Sequence, residues 1–84
     1  MLTAKYVYPE NGTSHDKERN ARHLEVGKEY KVDCVEICRC HTFVFLVGIE
    51  AIFNSVNFEF YKDGELYNIF ADPDLNPYLN DNWK

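Results

Sequence analysis

Residues 53–70 read Phe-Asn-Ser-Val-Asn-Phe-Glu-Phe-Tyr-Lys-Asp-Gly-Glu-Leu-Tyr-Asn-Ile-Phe, and this run decides the fold class. After Asn54-Ser55 the residues alternate, with Val56, Phe58 and Phe60 on one parity and Asn57, Glu59 and Tyr61 on the other. A period of two marks a strand with one buried face. Lys62-Asp63-Gly64-Glu65 then supplies an Asp-Gly pair, the chemistry of a tight hairpin turn, and residues 66–70 return as the partner strand. An antiparallel β domain follows, with Val56, Phe58 and Phe60 expected in its core.

The neighbouring segments extend the same pattern. Thr42 to Val47 is apolar on both parities, so both of its faces are expected to be covered, and Gly48 ends it. Tyr30, Val32 and Cys34 share one face of a strand that begins after a turn at Gly27, whereas Val35 and Ile37 fall on the opposite parity. That change of phase predicts a bulge or sharp bend near Cys34. Leu2 to Tyr8 is dense in β-branched and aromatic residues and stops at Pro9, followed by the turn formers Asn11-Gly12. Thr13 to His23 has Ala21 as its one apolar residue and lacks a stripe with which a helix could dock. It reads as a polar surface loop with, at most, a helical turn starting near Thr13 or Ser14. Near the other end, Asp72 ahead of Pro73 has the arrangement of a capped helical turn. From it Leu75, Tyr78 and Leu79 are expected to fold back over an open barrel end.

A chain of 84 residues is long enough for one domain and too short for two. The segments assign residues 1–8 to a first strand, 9–23 to the polar loop, 24–70 to the barrel core and 71–84 to a C-terminal lid and tail. The fold expected is mostly β: a small, partly open, five-stranded antiparallel barrel with a short C-terminal helical turn. Charge narrows the function. Nine Lys and Arg against fourteen Asp and Glu give a net charge of −5, which repels a phosphate backbone and disfavours nucleic acid as a partner. The acidic residues are interspersed with apolar ones and form no long stripe of the kind that would mimic DNA. No apolar stretch approaches membrane-spanning length and no basic, then apolar, leader opens the chain, so the expected setting is cytoplasmic with no membrane contact.

Cys34, Cys38, Cys40 and His41 are the most chemical-looking cluster, offering four soft or borderline ligands. All four would come from one short strand and turn, whereas structural zinc sites draw paired ligands from two separated knuckles. The sequence therefore predicts thiols that behave as small hydrophobes, with no metal and no cofactor. A Cys40 nucleophile activated by His41 meets a similar obstacle, because neighbours in an extended strand point to opposite faces. No catalytic residue is assigned. Carboxylates such as Glu36, Glu50, Glu59 and Asp63 have no spacing that singles out an acid–base pair.

The run Leu24-Glu-Val-Gly-Lys-Glu-Tyr-Lys-Val32 resembles the opening of small SH3-like barrels in bacterial and phage proteins. Phe53-Asn-Ser-Val56, Phe58-Glu-Phe60, Asp63-Gly64 and Asp72-Pro73 with Asn76-Pro77-Tyr78 are similar to uncharacterised short proteins of Firmicutes and their phages. This resemblance covers residues 19–79. It implies an SH3-like barrel and brings no catalytic residues with it.

Two binding roles are left. In the first, the aromatic surplus supplies a protein-interaction surface at Tyr61, Tyr67 and Tyr78, rigid amphipathic side chains of the kind found at interface hot spots. Such a chain would be a small adaptor or inhibitor of bacterial or phage origin, acting on a host defence or regulatory protein. An open edge strand offers a further route, by strand addition or as a homodimer. In the second, Arg19, Arg22 and His23 in the locally basic segment 17–23 hold a small anionic ligand or nucleotide, in a monomer or an oligomer.

Overall fold

The computed structural model describes residues 1–80, so the last part of the expected tail lies outside the described residues. In chain order the elements are β1 (Leu2–Tyr6), α1 (Ser14–His23), β2 (Glu29–Ile37), β3 (Thr42–Leu46), β4 (Ile52–Asn54), β5 (Phe58–Lys62) and β6 (Glu65–Leu66). Short 3-10 turns occupy Ser55–Asn57, Ile69–Ala71 and Pro77–Asn80. The strands form a six-stranded sheet in the order β4-β3-β2-β1-β5-β6, and every pair in it is antiparallel. The expected five strands are thus six in an open sheet with one helix. Its two edges are short: β4 has three residues and β6 has two. No helix among the described residues is long and apolar enough to cross a membrane.

β2 carries the bend that its phase change predicts. Its first residues, Glu29 to Lys31, pair with β1, its later residues pair with β3, and the register shifts between Val32 and Cys34. The bulge keeps Val35 and Ile37 on the inner side with Tyr30 and Val32, while Cys34 is turned out to solvent. Cys34 therefore leaves the face the alternation gave it. In β3, Thr42, Val44 and Leu46 are buried while Phe43 and Phe45 on the other parity are half-buried. The core gathers Ala4, Tyr6, Leu24, Val44, Leu46, Phe53, Phe58, Phe60 and Ile69. Its aromatic spine runs through Phe58, whose ring lies 5.9 Å from Tyr6, 6.1 Å from Phe53 and 6.1 Å from Phe60.

The run that decides the fold class is not one continuous strand. Asn54 accepts a hydrogen bond from the Val56 N–H at 3.2 Å and starts the 3-10 turn that separates β4 from β5. That turn reverses the expected facing: Val56 is 45% exposed, whereas Asn57 is fully buried. The Asn57 amide donates to the Tyr8 carbonyl at 2.7 Å and the Asn11 carbonyl at 2.9 Å. The backbone carbonyl of Asn57 accepts the N–H groups of Val7 and Tyr8. The local Asn54 bond breaks the two-residue period, the usual way in which Asn competes with a ladder, and the bonds of Asn57 to the distant Tyr8 and Asn11 hold it inside. Phe58 and Phe60 are buried as the alternation requires, and Asp63-Gly64 makes the hairpin between β5 and β6. Asp63 at φ 53° and Gly64 at φ 87° give both central residues the positive φ of a primed turn.

The segment read as a polar loop is a helix of ten residues. Thr13 and Asp16 form a reciprocal capping box, which satisfies two otherwise orphaned N–H groups. Instead of an apolar stripe, α1 docks through Asn20, which is fully buried, and through Leu24 just past its end. Both side-chain amide atoms of Asn20 lack a hydrogen-bond partner among the described residues. At the C-terminus, Asp72 caps its turn through the Asp74 N–H at 2.8 Å, as the Asp-Pro pair predicts. Leu75 packs on the core, but Tyr78 and Leu79 are 41% and 43% exposed and do not close over it.

Candidate functional site

Three connections meet at one end of the sheet: the turn after β2, the 3-10 turn between β4 and β5, and the segment after β6. The first is tightened by the Cys38 N–H, which donates to the His41 carbonyl at 2.9 Å. The second is fixed by Asn54. The third is shaped by Asn68, whose side chain accepts the Phe70 N–H at 3.0 Å, and by Asn76, whose amide donates to the Phe70 carbonyl at 2.8 Å. The first is a backbone–backbone bond, and in the other two an Asn side chain clamps the backbone, which leaves Val56 and Phe70 facing outward.

Two clefts result. The larger, of about 560 Å³, lies between Arg39 and His41 on one wall and Val56, Phe70 and Tyr78 on the other, with Ile37 among its lining residues. The smaller, of about 430 Å³, is lined by Tyr8, Phe60, Leu66, Tyr67 and Phe70. Ser55 and Phe70 border both and form the shared wall. Tyr8, Val56, Leu66, Phe70 and Tyr78 each leave at least 41% of their surface in water, with Leu66 at 69%. Apolar residues concentrated along neighbouring concavities are the feature that marks interaction surfaces.

The three tyrosines are distributed unevenly over this surface. Tyr78 lines the larger cleft and Tyr67 the smaller, on either side of Phe70. Tyr61 lines neither; it is half-buried on β5 and its hydroxyl donates to Glu59 at 3.0 Å. Tyr8 donates to the other oxygen of Glu59 at 3.1 Å, and these bonds to a carboxylate raise both phenols above their ordinary pKa. Phe70, Val56, Leu66 and Tyr8 escape the sequence reading, which treats them as strand or core residues. Asn54 two residues before Val56 and Asn68 two before Phe70 are the available signals, since each supplies a local turn.

Arg19 and His23 meet on the Phe53 ring, while Arg22 pairs separately with Glu18. Arg19 is bonded to Asp16 and its guanidinium sits 5.7 Å from the centre of the Phe53 ring. Partial burial works against the charged form of Asp16, but the Thr13 N–H and the Arg19 guanidinium outweigh it and hold its carboxyl below the usual range. Arg22 reaches Glu18 at 3.4 Å, and His23 sets its ring edge-on to Phe53 at 6.2 Å. Of the three, Arg19 lines a cleft, one of about 350 Å³, and shares that wall with Asp16. Both arginines are thus paired with carboxylates of their own helix.

Cys34 and Cys40 are exposed and Cys38 is half-buried, all as free thiols. Among the described residues no three His, Cys, Asp or Glu side chains gather in a way that could hold a metal ion. The His41 ring packs against Phe43 at 4.6 Å.

Tyr67 ties the smaller cleft to the C-terminal turn. Its hydroxyl donates to Asp72 at 2.7 Å, which raises the phenol's pKa and, together with the Asp74 N–H, lowers that of the carboxyl. The lowered Asp72 value contributes stability that is present above about pH 4 and lost as pH falls through the folded-state pKa. The raised Tyr67 value contributes stability present below about pH 10 and lost as pH rises through its folded-state pKa. Melting curves from pH 2 to 7 should therefore show a shallower acid limb for Tyr67→Phe than for the parent chain. Coincident acid limbs would mean that the pair is not linked to folding.

Residues 1–81 match the family model described as Bacteriophage T4 protein Y07B. No curated protein and no solved structure matches the chain.

Proposed function

The chain belongs to the Bacteriophage T4 protein Y07B family, and on that premise we propose that it is a small non-catalytic phage module that acts by seating a host protein on its paired clefts. We read the scaffold as an SH3-like, partly open barrel. The order β4-β3-β2-β1-β5, the sharply bent β2 and the 3-10 turn between β4 and β5 support that reading. The Firmicutes proteins that the sequence resembles would share this barrel as more distant relatives. Its place of action in this proposal is the cytoplasm of the infected cell, where it restrains a defence or regulatory protein.

The observation that carries the proposal is Phe70, 45% exposed on the wall common to both clefts. An aromatic side chain at the centre of an otherwise clamped surface offers a large contact area at low entropic cost, the profile of a hot-spot residue. The alternative, a small anion held by Arg19, Arg22 and His23, draws less support because Arg19 and Arg22 already have carboxylate partners.

The test uses the full chain on beads against a lysate of the bacterial host. A retained protein should be reduced at least about ten-fold by Phe70→Asp, the loss expected of a hot-spot side chain, and should be unaffected by Arg22→Glu. Retention that survives Phe70→Asp and disappears with Arg22→Glu, or release of a nucleotide on denaturing the purified chain, would replace this reading by the anionic-ligand one.

A further inference from the structure

The larger cleft has a charge character opposite to that of the whole molecule. Fourteen Asp and Glu residues give the chain its charge of −5, yet the lining of this cleft contains none of the described carboxylates. Its one permanently charged side chain is Arg39, exposed at the turn after β2, and Arg39 makes no ion pair among the described residues. His41 stands beside it on the same wall. Across the cleft the surface is apolar, with Val56 45%, Phe70 45% and Tyr78 41% exposed. A cation on one rim and an open aromatic wall on the other, in an acidic protein, define the ligand by complementarity.

We infer that the larger cleft takes a peptide segment carrying an acidic side chain close to a bulky apolar one, the carboxylate bonded to Arg39 and the apolar group set against Phe70 and Tyr78. This deepens the interaction-module reading and rests on it. A guanidinium binds a carboxylate through two parallel N–H···O bonds, and pairs of this kind fix orientation as well as adding affinity. A nucleotide fits the cleft less well. Its phosphates call for several converging N–H donors, and here the Val56 N–H of the adjacent 3-10 turn is already taken by Asn54. The repulsive field of the chain's other carboxylates gives the cleft selectivity: an acidic segment is stable where Arg39 meets it and repelled over most of the remaining surface.

A random dodecapeptide library displayed on phage, selected against the immobilised full-length chain, tests the inference. Enriched peptides should carry Asp or Glu within a few residues of Trp, Phe or Leu. Synthetic copies should bind about ten- to a hundred-fold more weakly to Arg39→Glu, the range for losing a charge-assisted bidentate contact and gaining repulsion. Circular dichroism of that variant, altered at an exposed turn, guards against misfolding. Enriched peptides lost by Phe70→Asp but indifferent to Arg39→Glu would overturn the acidic specificity while leaving the interaction module intact. No enrichment, or binding indifferent to both substitutions, would remove the module reading itself. Enrichment that requires Trp83→Ala in the full chain would show that Asp81-Asn82-Trp83, which has the same chemistry in sequence, is the occupant in place of a foreign peptide.

Discussion

Phe53→Ala should lower the unfolding free energy by about 3–5 kcal/mol, the range for deleting a fully buried aromatic ring, and should release α1 along with it. Phe53 is 0% exposed and supports the structure from two directions. Toward the sheet, its ring meets Phe58 at 6.1 Å in an edge-on packing that fixes the centre of the core. Toward the helix, it is the surface on which Arg19 and His23 rest. α1 has no apolar stripe, and its single fully buried residue is an asparagine whose amide has no hydrogen-bond partner among the described residues, so these two contacts carry much of its docking. A domain of this size has a margin of about 5–15 kcal/mol in all, and the melting temperature should fall by about 15 °C or more. Urea unfolding gives the free energy, and amide exchange over residues 14–23 reports the helix. A loss below about 1 kcal/mol, with α1 still protected, would show that the core closes over the gap and that the helix is held by other contacts.

Asn57→Ala should cost about 2–4 kcal/mol, the sum of two lost hydrogen bonds and a small cavity, with the Asn11 carbonyl losing its Asn57 donor and the Tyr8 carbonyl keeping the Asn11 N–H at 3.3 Å. An alternating reading of residues 53–61 would rank Asn57 as an outward, dispensable residue and Val56 as core. The structure reverses the order, and Val56→Ala, on a side chain 45% exposed, should change stability by less than about 1 kcal/mol. Measuring both variants by urea unfolding separates the two descriptions: a larger loss at Val56 than at Asn57 would restore the continuous strand. Because the Asn57 amide holds the Tyr8 and Asn11 carbonyls, its loss should also disturb the smaller cleft, of which Tyr8 is part.

The comparison between sequence and structure turns on which residues satisfy their hydrogen bonds locally. Apolar alternation located Phe58 and Phe60, the change of phase located the bulge in β2, and Asp63-Gly64 located the hairpin, since each is a direct consequence of strand geometry. Asn54 and Asn68 broke the pattern because their side chains bond backbone two residues on, and Asn57 because it bonds the distant Tyr8 and Asn11 carbonyls, effects invisible to a count of apolar positions. α1 was hidden for a related reason: capping by Thr13 and Asp16 and anchoring by Leu24 replace the apolar stripe that normally announces a helix. Of the candidate site, Tyr67 and Tyr78 were legible as surplus aromatics, but Phe70 is exposed only because Asn68 and Asn76 hold its backbone in place.

The shortness of β4 and β6 bears on how such a protein can be made in quantity. At high concentration a long bare strand is a template for fibrils. Edges of three and two residues offer too few consecutive backbone groups to propagate a ladder between copies. Growth of one copy's sheet onto another's is thereby disfavoured at both edges.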